Sequence, residues 1–305
     1  MRPIFQWNVG RRRIELGKRT LVMGVLNVTP DSFSDGGQFR SPEEAVQCGL
    51  RLLDEGADLL DIGGESTRLG VRVGSDASVS AGEELRRVLP VIERLKTARP
   101  DVLISVDTYK AEVAKAAIGA GAEIVNDVSG LSWDLQMAHA VGELGCGVVV
   151  MHTRGTPEDW RNLPLEPRIV QVVAQELRGS VQKAAAAGVH HDHIVIDPGF
   201  GFGKRLENNY PLLAKLEDLH SMGFPLMVGL SRKSFLGHTA GVRFHADLEP
   251  KERLHPSIAA AVVAVMKGAH IVRVHDVRPT VEALAIVDAL IDNQTGVNPW
   301  FDAYS

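Results

Sequence analysis

Cysteine is almost missing from this chain: Cys48 and Cys146 are the only 2 among 305 residues. Neither sits in a CxxC or metal-like spacing, which excludes a disulfide framework and a thiolate metal site. Both read as reduced core side chains. Aromatic residues are scarce at 5%, so Ala, Val, Leu and Ile must fill the core. A basic surplus is missing too: 33 Lys and Arg face 38 Asp and Glu, for a net charge of −5. Without a basic field there is little counterion release to gain from a phosphate backbone, so nucleic acid is not an expected partner. The most apolar stretch, 258–266, is far shorter than the roughly 20 residues that cross a bilayer. Residues 1–13 carry basic side chains but no apolar segment of a secretion signal. A soluble, cytoplasmic protein with no membrane partner is the expectation.

What the chain does have is alternation. Short, nearly all-apolar runs stand at 21–28, 58–62, 103–106, 124–126, 147–151, 194–196, 226–230 and 271–274. Such runs suit parallel strands covered on both faces. Between them lie amphipathic stretches, with Leu85, Val88, Leu89, Ile92 and Leu95 on one helical face and Leu284, Val287 and Ile291 on another. Pro42, Pro256 and Pro279 fall where helices would begin, and Gly56, Gly121, Gly145 and Gly188 where they would end. Eight strand–helix units without a linker is the number that closes a (β/α)8 TIM barrel. A doubly wound open sheet is the competing α/β arrangement. Residues 1–305 read as one domain, with 1–18 as an N-terminal extension and 293–305 as a tail. Within the extension, 4–17 would form a short hairpin at the barrel floor.

The polar residues follow position. Nearly every apolar run ends in one: Asn27, Asp61, Asp107, Asn126, His152, Asp197, then Ser231, Arg232 and Lys233, and finally Arg273 with His275. In a parallel barrel all these ends share one rim, where strand tips and the following loops build active sites. Capping of the next helix explains one or two of them, not the whole series. Asp107, Asn126 and Asp197 together suit a flat heterocycle of the guanine or pterin type, since carboxylates accept N–H donors and a carboxamide does both. Arg68, Lys233, Arg273 and His275 bring positive charge suited to phosphate or carboxylate. Two loops, 29–37 with Phe33 and 63–80, are long enough to cover a site. The glycine-rich stretch 199–204 lacks the gap and hydroxyl of a Walker phosphate loop. A tight turn admitting a ligand beside Phe202 suits it better. His190, His191 and His193 precede a strand, so they belong to the opposite rim as exposed turn residues.

Taken together, these segments resemble the dihydropteroate synthase family of folate biosynthesis. The matching stretches are GVLNVTPDSFSDGG at 24–37, DIGGESTR at 61–68, SVDT at 105–108, NDVSG at 126–130, MHTRGTP at 151–157, DPGFGFGK at 197–204, SRKS at 231–234 and RVHDV at 273–277. The resemblance implies a TIM barrel that joins 6-hydroxymethyl-7,8-dihydropterin diphosphate to 4-aminobenzoate. It implies Asp107, Asn126, Asp197 and Lys233 as pterin ligands, and Asn27, Arg273 and His275 as diphosphate ligands, Asn27 together with Mg²⁺. Phe33, Thr67, Phe202 and Ser234 would shape the aminobenzoate pocket. Asp35, Arg68 and Lys233 would serve the chemistry, with Asp35 and Arg68 closing over the site. Sulfonamides would be expected ligands.

One departure stands out. The family's second loop commonly reads Ser-Thr-Arg-Pro-Gly, whereas this chain has Leu69 between Arg68 and Gly70. The stretch 71–80 is also longer than usual. Two rival readings share parts of the pattern: a methyltetrahydrofolate methyltransferase, and a pterin-binding paralogue with altered catalysis. Apolar faces around 258–265 and 284–291 make a homodimer the expected assembly.

Overall fold

The computed structural model describes residues 2–29, 41–66 and 78–295. An antiparallel hairpin, β1 (Phe5–Val9) and β2 (Arg12–Leu16), comes first. Parallel strands follow: β3 (Leu21–Asn27), β4 (Leu59–Gly63), β5 (Leu103–Asp107) and β6 (Ile124–Asp127). The second half adds β7 (Gly147–Met151), β8 (Ile194–Asp197), β9 (Met227–Val228) and β10 (Ile271–Val274). Helices α1 (Pro42–Asp54), α2 (Ala81–Ala98), α3 (Ala111–Gly119), α4 (Met137–Leu144) and α5 (Ile169–Ala186) alternate with the earlier strands. The last four are α6 (Leu206–Ala214), α7 (Ser234–Gly241), α8 (Leu254–Met266) and α9 (Val277–Thr295).

The strand order is β8-β7-β6-β5-β4-β3-β10-β9. The ring closes where the Ile196 N–H donates to the Pro225 carbonyl at 3.0 Å and Ile196 bridges Leu226 in parallel. This is the expected barrel, not an open sheet. Its weakest stave is β9, two residues long where the sequence predicts five. Pro225 has no N–H to donate and Gly229 has no side chain to pack, so regular pairing shrinks to the residues between them.

Helix boundaries follow the sequence signals. Ser41 caps α1 by accepting from the Glu44 N–H, and Pro42 occupies its first turn. Pro256 and Pro279 likewise lie in the first turns of α8 and α9. Gly145 ends α4 in the left-handed conformation at φ 57°, where a side chain would be strained. Among the described residues, no helix is long and apolar enough to cross a membrane.

Period-two alternation gives each strand two faces with different tasks. Outward residues such as Leu60, Ile62, Ile104, Val106, Val148, Val150 and Ile196 pack against the helices in one large core. Inward residues Leu59, Leu103, Ile124, Val149, Val195, Met227 and Ile271 pack with Trp7, Val9 and Leu16 of the hairpin. That second core plugs the floor. Gly147 lets the plug approach, because a Cβ there would come within 2.5 Å of Val9 Cγ1. Two residues further along the strands, the inward positions turn polar: Asp61, Ser105, Asn126, Asp197 and Arg273. The interior is therefore hydrocarbon below and charge above.

Candidate active site

Strand register sets the site's first row. Asn27 pairs with Gly63, Gly63 with Asp107, and Asp107 with Asn126, so the four stand side by side on β3 to β6. A Cβ on Gly63 would lie in van der Waals contact with both neighbours, 3.4 Å from Asp107 Cβ and 3.5 Å from Asn27 Oδ1. Beneath it lies Asp61, fully buried, whose Oδ2 accepts from Asn126 Nδ2 at 3.0 Å and from Arg273 Nε at 2.5 Å. Arg273 rises from β10, crosses in front of β3, and gives its second donor to Asp107 Oδ2 at 2.7 Å. Its guanidinium thus ties two carboxylates on neighbouring strands.

Burial drives the electrostatics of the cluster. It pushes the Asp107 carboxyl up to about 7, against the pull of Arg273 and with help from Asp61. For Arg273 burial opposes the charge, but Asp61 and Asp107 more than restore it and the pKa is raised. Asp197 at the tip of β8 is pushed by burial to about 6, although its Oδ1 accepts the Gly199 N–H at 2.7 Å and Lys233 lies near. Burial, reinforced by Arg273, lowers Lys233 to about 8. Its ammonium rests 4.0 Å from the centre of the Phe202 ring, a cation–π contact. Phe202 in turn takes the edge of Trp160 at 5.1 Å.

His275 differs from the charged group the sequence suggests. Burial and the neighbouring Arg273 and Arg232 lower its pKa to about 3, so the imidazole is neutral. Its Nδ1 lies 3.0 Å from Ser231 Oγ, which already accepts the His275 backbone N–H. The Ser231 hydroxyl can donate to Nδ1, which would leave the ring proton on Nε2. His275 offers a hydrogen bond, not a charge. The three turn histidines lie at the opposite end of the barrel as expected, His190 and His191 exposed and His193 bonded to the Cys146 carbonyl at 3.0 Å.

The buried acceptors Asp61 Oδ1 and Asn126 Oδ1, and the Ser105 hydroxyl below Asp107, have no partner among the described residues. Orphans of that kind cost about 1–3 kcal/mol each, a cost that donors from water or a ligand would offset.

The comparisons with known proteins agree with this geometry. Residues 23–275 match the family model described as pterin binding enzyme. The dihydropteroate synthase of Escherichia coli (strain K12) is 44% identical over 270 residues, which cover 88% of this chain and 91% of that protein. The Xanthomonas albilineans dihydropteroate synthase solved with 4-aminobenzoic acid is 43% identical, with a TM-score of 0.84 over 95% of this chain and 99% of that one. The same enzyme in complex with 7,8-dihydropteroate is 42% identical at a TM-score of 0.80, covering 94% of this chain and 98% of that one.

The chain belongs to the pterin-binding enzyme family, among the dihydropteroate synthases.

Of the site residues expected for such a synthase, the structure brings Asn27, Asp107, Asn126, Asp197, Phe202, Lys233, Arg273 and His275 to the C-terminal rim. Ser234 begins α7 beside them and is exposed. Phe33, Asp35, Thr67 and Arg68 lie outside the described residues, as does Leu69. Sequence reasoning placed Asp61 at a strand tip without a role; its part is to orient Asn126 and Arg273. It also passed over Glu65, whose Oε1 accepts the Val79 N–H at 3.1 Å while Lys110 bridges its Oε2 to Glu84, at 2.5 Å each. That ion pair ties together the two chain ends that flank the second loop. The motif DIGGE contained the signal, but a buried glutamate directly after two glycines has no sequence mark of its partner.

Proposed function

We propose that this chain condenses 6-hydroxymethyl-7,8-dihydropterin diphosphate with 4-aminobenzoate to give 7,8-dihydropteroate and pyrophosphate. The observation that carries the reading is the buried row of acceptors on β5, β6 and β8, closed by Lys233 and facing the family's ligand-bound relatives in likeness. Asp107, Asn126 and Asp197 would take the pterin's N–H donors, and Lys233 would donate to its acceptors. Lys233 on Phe202 would join the pterin end of the site to the aminobenzoate end, where Phe202 and Ser234 would face the amine's ring. Phe33 and Thr67 would complete that pocket.

Asn27 would hold Mg²⁺ together with the substrate's phosphate oxygens. Its side-chain oxygen projects over Gly63 at the rim as a neutral hard donor, which suits a cation that keeps most of its shell from water and phosphate. Among the described residues there is no cluster of three His, Cys, Asp or Glu that would bind a metal alone. When bound, Mg²⁺ would offset the charge gathering on the departing pyrophosphate. Arg273 would stay on Asp61 and Asp107 and direct its field at the same oxygens, while His275 Nε2–H would donate to them. The C–O bond to the diphosphate breaks, the pterin methylene takes a C–N bond from the neutral amine, and the amine's proton leaves to water. Asp35 and Arg68 would act over this step. No side chain has to serve as a strong base, because an aniline nitrogen attacks uncharged. Sulfonamides would compete for the aminobenzoate pocket. A homodimer fits the exposed Val263, Met266, Ile286 and Leu290 on α8 and α9, and sedimentation of the full chain checks it.

The test is pyrophosphate release from the full chain with both substrates and Mg²⁺. Release should require all three, and EDTA should abolish it while barely moving the melting temperature. Pterin binding without any release would contradict the reading, and a large loss of stability in EDTA would show that the metal assignment is wrong.

A further inference from the structure

The glycine turn 199–203 is held by one buried lysine. Gly199, Gly201 and Gly203 all have positive φ, of 65°, 80° and 64°. The turn lies backbone to backbone on the segment after β7: a Cβ on Gly199 would sit 1.9 Å from the His152 carbonyl, and one on Gly203 2.2 Å from that of Arg154. Lys204 closes the turn and is itself buried. Its ammonium points inward, toward the Gly199 carbonyl at 2.7 Å, His152 Nδ1 at 2.8 Å, and the carbonyls of Phe202 at 3.2 Å and His152 at 3.4 Å. With four acceptors around Nζ, no free direction remains for a phosphate. The glycine motif is therefore not a phosphate cradle.

His152 is the one side chain in this set of acceptors. Because Nδ1 accepts from Lys204, the ring proton is on Nε2 and donates to Glu176 Oε2 at 2.9 Å. Glu176 is exposed, so the series runs from solvent through the imidazole to the ammonium and into the turn. At one end of the turn Gly199 holds the Asp197 carboxylate; toward the other, Phe202 carries Lys233. On the proposed function both ends would face the substrates.

We infer that His152 and Lys204 are positioning residues: together they latch the turn 199–203 so that Asp197 and Phe202 keep their aim at the pterin and the aminobenzoate. Glu176 orients His152 from outside. The inference rests on the proposed function, since it assigns Asp197 and Phe202 those ligands. A latch of this kind acts through sub-ångström placement, which is where remote changes lower affinity and rate.

The experiment compares His152→Leu with His152→Asn in the full chain, by calorimetry with 6-hydroxymethylpterin and by steady-state kinetics. Asparagine sets an oxygen near the place of Nδ1, so it keeps the acceptor that leucine deletes. His152→Leu should weaken pterin binding by about tenfold and raise the aminobenzoate KM by a similar factor. His152→Asn should recover most of that loss. Lys204→Met should match the leucine variant. If the buried variants do not fold, Glu176→Ala at the exposed end should still weaken pterin binding about two- to threefold. Folded His152→Leu with lower thermal stability but unchanged affinity and KM would overturn the inference, and so would an unchanged Glu176→Ala. Wild-type protein that binds no pterin would instead overturn the functional reading beneath it.

Discussion

Two clusters of buried charge sit at opposite ends of the same barrel. At the floor, Arg2 donates to the carbonyls of Gly17 at 3.0 Å and Ala269 at 3.1 Å, to Thr20 Oγ1 at 2.7 Å and to Asp288 Oδ1 at 3.1 Å. Asp288 also accepts the Thr20 N–H and hydroxyl, both at 2.8 Å. The fold itself occupies four of the five Arg2 N–H donors and both Asp288 oxygens, and the cluster ties the N-terminal extension to α9. At the rim, Arg273 holds Asp61 and Asp107, yet acceptors on Asp61 and Asn126 stay open and burial works against the charges on Asp107 and Asp197. A buried ion pair that is fully hydrogen-bonded fixes a structure. One left partly open has acceptors that an incoming donor could still satisfy.

The comparison can be broken most forcefully at the floor. Arg2→Leu strands Asp288 without its cation, and removing one partner of a buried pair costs about 3–5 kcal/mol. Urea unfolding should show that loss, with pyrophosphate release per folded molecule unchanged. A loss below about 1 kcal/mol would mean that the floor cluster is not holding the extension.

At the rim the order reverses. Asp197→Ala should leave the fold intact and weaken pterin binding by about tenfold or more, from roughly 1–3 kcal/mol per lost partner. Calorimetry with unchanged affinity would remove Asp197 from the site.

A subtler contrast appears with pH. The folded pKa of Asp197, about 6, lies above the ordinary carboxylate value of 3.8, so folding favours its protonated form. That contribution is complete below the ordinary value and is lost as pH rises through about 6. Asp197→Asn carries no such penalty. Its melting temperature should equal that of wild type near pH 4 and exceed it above pH 6. Wild type melting higher than the variant at pH 8 would contradict the electrostatic account.

The smallest expected effect lies at Leu69. Proline at a compatible position restricts the free chain by about 0.4–1 kcal/mol. Leu69→Pro should therefore lower the aminobenzoate KM roughly two- to fivefold at about 1.4 kcal/mol per decade, and help sulfonamides at least as much. Pterin affinity should stay nearly constant. Steady-state kinetics with an unchanged or raised KM would rule out the entropic explanation.

The barrel was legible in the sequence because parallel strands covered on both faces read as apolar runs, and the polar tips after them marked one rim. Asn27, Asp107, Asn126 and Asp197 could be found that way. The cross-barrel links could not. Arg273 meets partners 212 and 166 positions away, and its pairing with Asp61 and Asp107 follows from barrel geometry that no local pattern encodes. Similarly, the sequence sets aside a phosphate loop at 199–204 in favour of a tight turn, but only the fold shows Lys204 Nζ turned inward to hold it. The neutral state of His275 came from burial beside two arginines, which spacing alone does not display.

On the proposed function, the pterin completes the open valences of the rim carboxylates. Donors arriving at Asp107 and Asp197 should lower both raised pKa values, so binding must expel protons near the pH where these groups are half protonated. Calorimetric titration of 6-hydroxymethylpterin into the full chain at pH 6, in two buffers with different ionisation heats, measures this directly. The account predicts net proton release on binding. Equal heats in both buffers, or proton uptake, would contradict it.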